Sequence, residues 1–110
     1  MNPLPHHRQL DLTCDATEVA SSLEHFIRIS MEKLEREGVI LGLSGGVDSC
    51  VVAALCGRAV GPEKIRALIM PEKESSKEHL EDALRFAAQW QIAPRVIDIS
   101  PYLKQMGVYD

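Results

Sequence analysis

No run in this sequence approaches the roughly 20 apolar residues needed to span a bilayer, which excludes a helical membrane span within it. The opening MNPLPHHRQLDL has no apolar stretch of signal-peptide length, so the chain is read as cytoplasmic. A broad excess of positive charge is also missing. The formal net charge is −4 with both signs interspersed, which excludes the field that grips a nucleic-acid backbone and leaves room only for a local phosphate site. Cysteine is sparse and never in a C-x-x-C pair. Cys14, Cys50 and Cys56 leave at least one thiol unpaired in any disulfide scheme, so a reducing compartment fits best. There is no internal repeat and no low-complexity tract. What remains is 110 residues, 45% hydrophobic and 25% charged, enough for one domain with a single core and too few for two catalytic domains.

Residues 1–14 show no period and are read as an arm, with His6 and His7 as solvated arm residues, because two adjacent histidines without a third ligand make a weak metal site. Residues 15–110 form the domain. Asp15 and Glu18 have capping-box spacing, and Val19, Leu23, Phe26, Ile27 and Leu34 recur at helical intervals, predicting a helix that ends near Gly38. Val39 to Leu43 form a short apolar run of the kind covered on both faces in a parallel sheet. Ser44-Gly45-Gly46 turns the chain into a second helix, from about Asp48 to Ala59, which Gly61-Pro62 terminates. Ile65 to Met70 supplies a second strand. A third helix runs from Ser76 to about Gln91, with Leu80, Ala83, Leu84, Ala87 and Trp90 inward, and Arg95 to Ile99 is the third strand. Strands alternating with crossover helices predict an α/β fold, a parallel sheet with helices on both faces.

In such sheets ligands lie beyond the carboxyl ends of the strands. The first such turn combines two glycines, two hydroxyls and a carboxylate where a helix begins. Glycines let the backbone approach an anion, hydroxyls donate, and the exposed N–H groups and dipole of the new helix favour negative charge. A carboxylate facing phosphate would repel it unless a cation such as Mg²⁺ lay between. The structural alternative is that Asp48 caps the helix and the glycines only turn the chain. The position after a buried strand favours phosphate. The loop lacks the G-K-[ST] ending of a Walker A element and is not the G-x-G-x-x-G of a dinucleotide fold.

GLSGGVDS instead resembles the pyrophosphate loop of the ATP pyrophosphatase superfamily. The longer run GVILGLSGGVDSCVVAALCGRAVGPEKIRALIMPEKESSKEHLEDA is similar to NAD synthetases throughout: the A-A-L before a Gly-Pro turn, the L-I-M-P at the second strand's end, and the Ser-Ser followed by Glu-Asp-Ala. The resemblance covers roughly residues 30–110. It implies a Rossmann-like, adenine nucleotide alpha hydrolase-like sheet, here as three strands of an incomplete domain. It further implies that Gly42, Leu43, Ser44, Gly45, Gly46, Val47, Asp48 and Ser49 surround the phosphates of ATP, with Asp48 holding one Mg²⁺. The Ala67 to Pro71 segment, Ile69 and Met70 above all, would lie against adenine, and Lys73 would help neutralise the polyphosphate. Lys73 has an equal alternative as a solvated loop lysine.

The implied reaction is ATP-dependent amidation of deamido-NAD through an adenylylated carboxylate, with AMP and pyrophosphate released. Nitrogen would come from free ammonia or from a separate glutaminase, and the resemblance implies a homodimer formed partly through the amino-terminal helix, whose apolar stripe has an equal alternative in packing only on its own sheet. No general base is identifiable. Ser75 and Ser76 are read as caps ahead of ligand contacts, Cys50 and Cys56 as small core residues, His25 and His79 as surface or packing residues, and Trp90 as core. Family members are more than twice this length, so the chain is expected to stop before the rest of the enzyme and to be inactive alone, with one edge of its first strand uncovered. Two other readings use the same loop: an ATP-dependent sulfur transferase or tRNA thiolase, which needs a reactive cysteine, and a nucleotide-binding module without turnover.

Overall fold

The structure, a computed structural model, describes residues 13–110; His6, His7 and most of the expected arm lie outside the described residues. The first helix, α1, spans Ala16–Leu34. Asp15 caps it as expected, accepting from the N–H groups of Thr17 at 3.0 Å and Glu18 at 3.3 Å. The helix stops four residues before Gly38. Glu35 turns into the left-handed region at φ 52°, and the Arg36 N–H donates to the Met31 carbonyl at 3.0 Å, closing the last turn. Gly38 is needed instead for close approach, since a Cβ there would sit 3.0 Å from the Lys64 carbonyl oxygen.

Strand β1 (Val39–Gly42), helix α2 (Val47–Val60), strand β2 (Ile65–Ile69), helix α3 (Lys77–Gln89), strand β3 (Ala93–Val96) and a short helix α4 (Ser100–Gln105) follow. The strands form one parallel sheet in the order β1-β2-β3, with Val39 opposite Ile65 and Arg66 opposite Ala93. The third strand begins two residues earlier than Arg95. Its pairing nonetheless runs on, through Ile97 N–H to the Ile69 carbonyl at 2.8 Å and Ile99 N–H to the Pro71 carbonyl at 2.9 Å. Pro94 is tolerated because β3 borders a single neighbour, so a missing N–H breaks no second ladder.

Burial alternates along β2. Ile65, Ala67 and Ile69 are buried and join Leu43, Ala53 and Cys56 of the first crossover and Ala83, Ala87 and Ile92 of the second in one core. The small residues of α2 and α3 let both helices sit close on that face. On the opposite face Ile40, which pairs with Arg66, is 72% exposed, so β1 is not covered on both sides at that position as its apolar run suggested. Two further expectations change for the same reason, a shortage of neighbouring elements. Leu84 and Trp90 are each 37% exposed, Trp90 lying on Phe86 with ring centroids 5.7 Å apart. On α1 only Ile27 of the expected stripe packs against the core, while Val19, Leu23, Phe26 and Leu34 are exposed. Helix α1 is held to α2 by Arg28, which donates to the Ala59 carbonyl at 3.4 Å, and by Glu24, whose buried carboxylate meets Arg58 Nε at 3.0 Å.

Candidate functional site

The site is built where β1 and β2 end. Leu43 continues the ladder for one residue beyond β1, its N–H donating to the Leu68 carbonyl at 2.8 Å, and the chain then leaves the sheet. Two serines organise the turn. Ser49 Oγ accepts the Ser44 N–H at 3.1 Å, lies 3.0 Å from Ser44 Oγ, and donates to the Gly46 carbonyl at 3.3 Å. Ser44 Oγ accepts the Gly46 N–H at 3.1 Å. Gly45 has φ +87°, and a Cβ added to it would lie 2.3 Å from the His79 carbonyl oxygen on α3, so only glycine fits between the two crossovers.

Helix α2 begins immediately after this turn, with Gly46 as N-cap and no side chain capping it. The first intrahelical bond is Cys50 N–H to the Gly46 carbonyl at 3.3 Å, so the N–H groups of Val47, Asp48 and Ser49 precede it and form the positive end of the helix. Asp48 stands in this first turn with an exposed side chain. It is not the N-cap, which is Gly46, and its carboxylate sits in the first turn, where negative charge suits the helix dipole. No group of three or more metal-ligating side chains occurs among the described residues.

Beside the turn a cleft of about 260 Å³ opens, lined by Leu43, Ser44, Ile69, Met70, Pro71, Ser75, Ser76, His79 and Leu80. Of the sequence-derived site residues, Leu43, Ser44, Ile69 and Met70 line it directly. Gly45, Gly46, Val47, Asp48 and Ser49 form the turn and the helix start next to Ser44, and Gly42 lies under Met70, whose Cε would be 3.7 Å from a Cβ there. Lys73 stands apart: its Nζ lies 3.8 Å from the centre of the Tyr109 ring, and it lines a neighbouring hollow with Ser100, Pro101, Lys104, Tyr109 and Asp110. Among the described residues no lysine or arginine lines the first cleft, so its polar side chains are the hydroxyls of Ser44, Ser75 and Ser76 and the imidazole of His79, with the start of α2 adjoining it through Ser44.

Ser76 caps α3 as read, accepting from Glu78 N–H at 3.1 Å and His79 N–H at 3.4 Å, and Ser75 Oγ accepts the Glu72 N–H at 2.9 Å. Both serines also line the cleft, so cap and cleft wall are one arrangement. His79 is exposed, in keeping with a surface residue, and the surface it occupies is the cleft wall. The missed signal was its place in the first turn of the helix after the second strand, which a parallel sheet brings against the first glycine turn. Burial, and for Cys50 also the charge of Asp82, pushes the Cys50 and Cys56 thiols up, which keeps them protonated and suits packing over nucleophilic attack.

The family model described as NAD synthase matches residues 19–108. An NH(3)-dependent NAD(+) synthetase of Thermotoga maritima is 43% identical over 88 residues, covering 80% of this chain and 31% of that protein. The NH3-dependent NAD synthetase of Campylobacter jejuni superposes with a TM-score of 0.81 at 36% identity, over 89% of this chain and 42% of that one. The glutamine-dependent NAD+ synthetase of Acinetobacter baumannii, solved with adenosine diphosphate, gives a TM-score of 0.81 at 28% identity over 89% of this chain and 19% of its own. The chain thus spans about a third of the Thermotoga protein it matches. With the match running from α1 to the end of the described fold, and the glycine turn standing where a Rossmann-like sheet binds its ligand, the chain belongs to the NAD synthase family.

Proposed function

We propose that this chain is the ATP-binding part of an enzyme that amidates deamido-NAD to NAD, through a carboxylate adenylylated by ATP and then attacked by ammonia. The observation that carries the reading is the Ser44–Ser49 turn, uncapped at the start of α2 and opening onto the cleft at the strand ends. A nucleotide there would set its phosphates against the N–H groups of Val47, Asp48 and Ser49, which precede the first intrahelical bond, and its base along Ile69 and Met70. The relative solved with adenosine diphosphate supports an adenine nucleotide as the occupant.

Catalysis would rest on positioning, holding the carboxylate in line with the α-phosphorus. Asp48 is exposed and has no ion-pair partner among the described residues, which fits a single carboxylate ligand to Mg²⁺ that takes its remaining oxygens from phosphates and water. Bound there, the ion would neutralise charge on the departing pyrophosphate. Lys73 could add positive charge once released from Tyr109. The protonated thiols argue against the sulfur-transfer reading.

The exposed apolar residues of α1, Val19, Leu23 and Phe26, support a homodimer. No described helix is long and apolar enough to cross a membrane; a cytoplasmic location is part of the proposal.

Calorimetric titration of this chain with ATP and Mg²⁺, followed by assay of AMP formation by the complete enzyme with deamido-NAD and ammonia, tests the function. AMP formed only when both co-substrates are present supports it; AMP formed without deamido-NAD overturns the substrate assignment. Asp48→Asn is expected to abolish Mg²⁺-dependent ATP binding, and undiminished binding would defeat the metal assignment.

A further inference from the structure

We infer that Tyr109 is a positioning residue for the nucleotide cleft, acting through Glu72 and Lys73 on the segment between β2 and α3. That segment contributes Pro71, Ser75 and Ser76 to the cleft wall. Its shape is set by one residue. Glu72 accepts the Ser75 N–H on its carbonyl at 2.8 Å, donates its own N–H to Ser75 Oγ at 2.9 Å, and accepts the Glu74 N–H on Oε1 at 3.0 Å. These bonds are local and would hold the turn in shape without fixing it to the body of the protein. The side-chain tie to distant sequence is Tyr109, 37 residues on, whose hydroxyl donates to Glu72 Oε2 at 2.5 Å.

The same ring holds Lys73, with Nζ 3.8 Å from its centre. A cation on an aromatic face and a phenol on a carboxylate are two independent attachments of one side chain to consecutive residues of the wall. A third anchor, the Ile99 N–H on the Pro71 carbonyl at 2.9 Å, fixes the start of the segment. With Pro71 held by the sheet and Glu72 and Lys73 held by Tyr109, Ser75 and Ser76 are delivered to the cleft opposite Ser44. The contact also holds Lys73 in the neighbouring hollow, outside the cleft lining, so Tyr109 sets both the wall and the access of this cation. The effect on ligand rests on the ATP-cleft reading; the effect on the segment does not.

The test uses the full chain. Amide exchange at Glu74 and Ser75 should quicken in Tyr109→Phe, which keeps the ring under Lys73 but loses the hydrogen bond, and quicken further in Tyr109→Ala. ATP affinity should fall about three- to tenfold in Tyr109→Phe, the scale of one typical hydrogen bond and less than the full loss at a charged group, because the contact acts on the ligand only through the segment. In a double-mutant cycle, Tyr109→Phe should add nothing once Glu72 is alanine, a coupling that general loss of packing would not produce. Acylation of Lys73 should be faster in Tyr109→Ala than in Tyr109→Phe. Wild-type ATP binding left unchanged by Tyr109→Phe, or additive effects in the cycle, would overturn this inference while the ATP reading stands. Absence of ATP binding by the wild type would overturn both.

Discussion

Two glycines of the described fold make opposite demands. Gly45 combines φ +87° with a Cβ position 2.3 Å from the His79 carbonyl, so Gly45→Ala must either flip the turn or push α3 away. A loss on the order of 1–3 kcal/mol is expected, read as a lower urea midpoint. Gly57, inside α2, has nothing within 4 Å of an added Cβ. Gly57→Ala is expected to stabilise by about 0.5–1 kcal/mol, because alanine loses less backbone freedom on entering a helix. Equal destabilisation by the two substitutions would show that the turn is not the constraint. The sequence showed that glycine was wanted at 45 and 46, since a turn had to follow a strand. It could not show that residue 79, 34 positions away, was the neighbour that forbids a side chain.

Among the elements, α4 starts with a titratable clasp. The Ser100 hydroxyl nearby and the Ser100 N–H, which donates to Oδ1 at 2.8 Å, hold Asp98 below the ordinary 3.8 of an aspartate. A lowered value in the fold means the unfolded chain binds the proton first as pH falls. The clasp therefore contributes fully above about pH 3.8 and is lost as pH drops through the lower folded value. Asp98→Asn should flatten that acid limb of the stability curve, measured as urea midpoints between about pH 2 and 7; an identical limb in the variant would assign the acid sensitivity elsewhere. The helices and strands themselves were legible to within a few residues, because period and caps are local signals. Their ends moved where a bond not visible in the pattern intervened, as at Glu35 and in the ladder that carries β3 on to Ile99.

On the scale of the whole molecule, four apolar side chains of α1, Val19, Leu23, Phe26 and Leu34, stand exposed among the described residues. Phe26 is 66% exposed and Leu23 43%. If a second copy covers them, Phe26→Glu should shift the sedimentation coefficient to that of a monomer and leave the helical circular dichroism intact. A wild type that sediments as a monomer at micromolar concentration would remove the dimer from the proposal. The uncovered sheet face around Ile40 is a separate apolar surface and should not respond to Phe26→Glu.

The sequence by itself determined the alternation of strands and helices, the glycine turn at the end of β1, the Asp15 and Ser76 caps and the family, because each is written in contiguous residues whose spacing follows backbone geometry. Only the tertiary structure decided which faces of those elements are covered, that Ile40, Trp90 and the α1 stripe are exposed, that Lys73 rests on Tyr109, and that His79 and two serines complete the cleft. Hydrophobic period reports which side of an element should be buried, whereas actual burial depends on whether another element arrives there. A cleft wall made by residues 44, 70, 75 and 79 is likewise a product of parallel strand pairing, which brings separate turns together at one edge of the sheet.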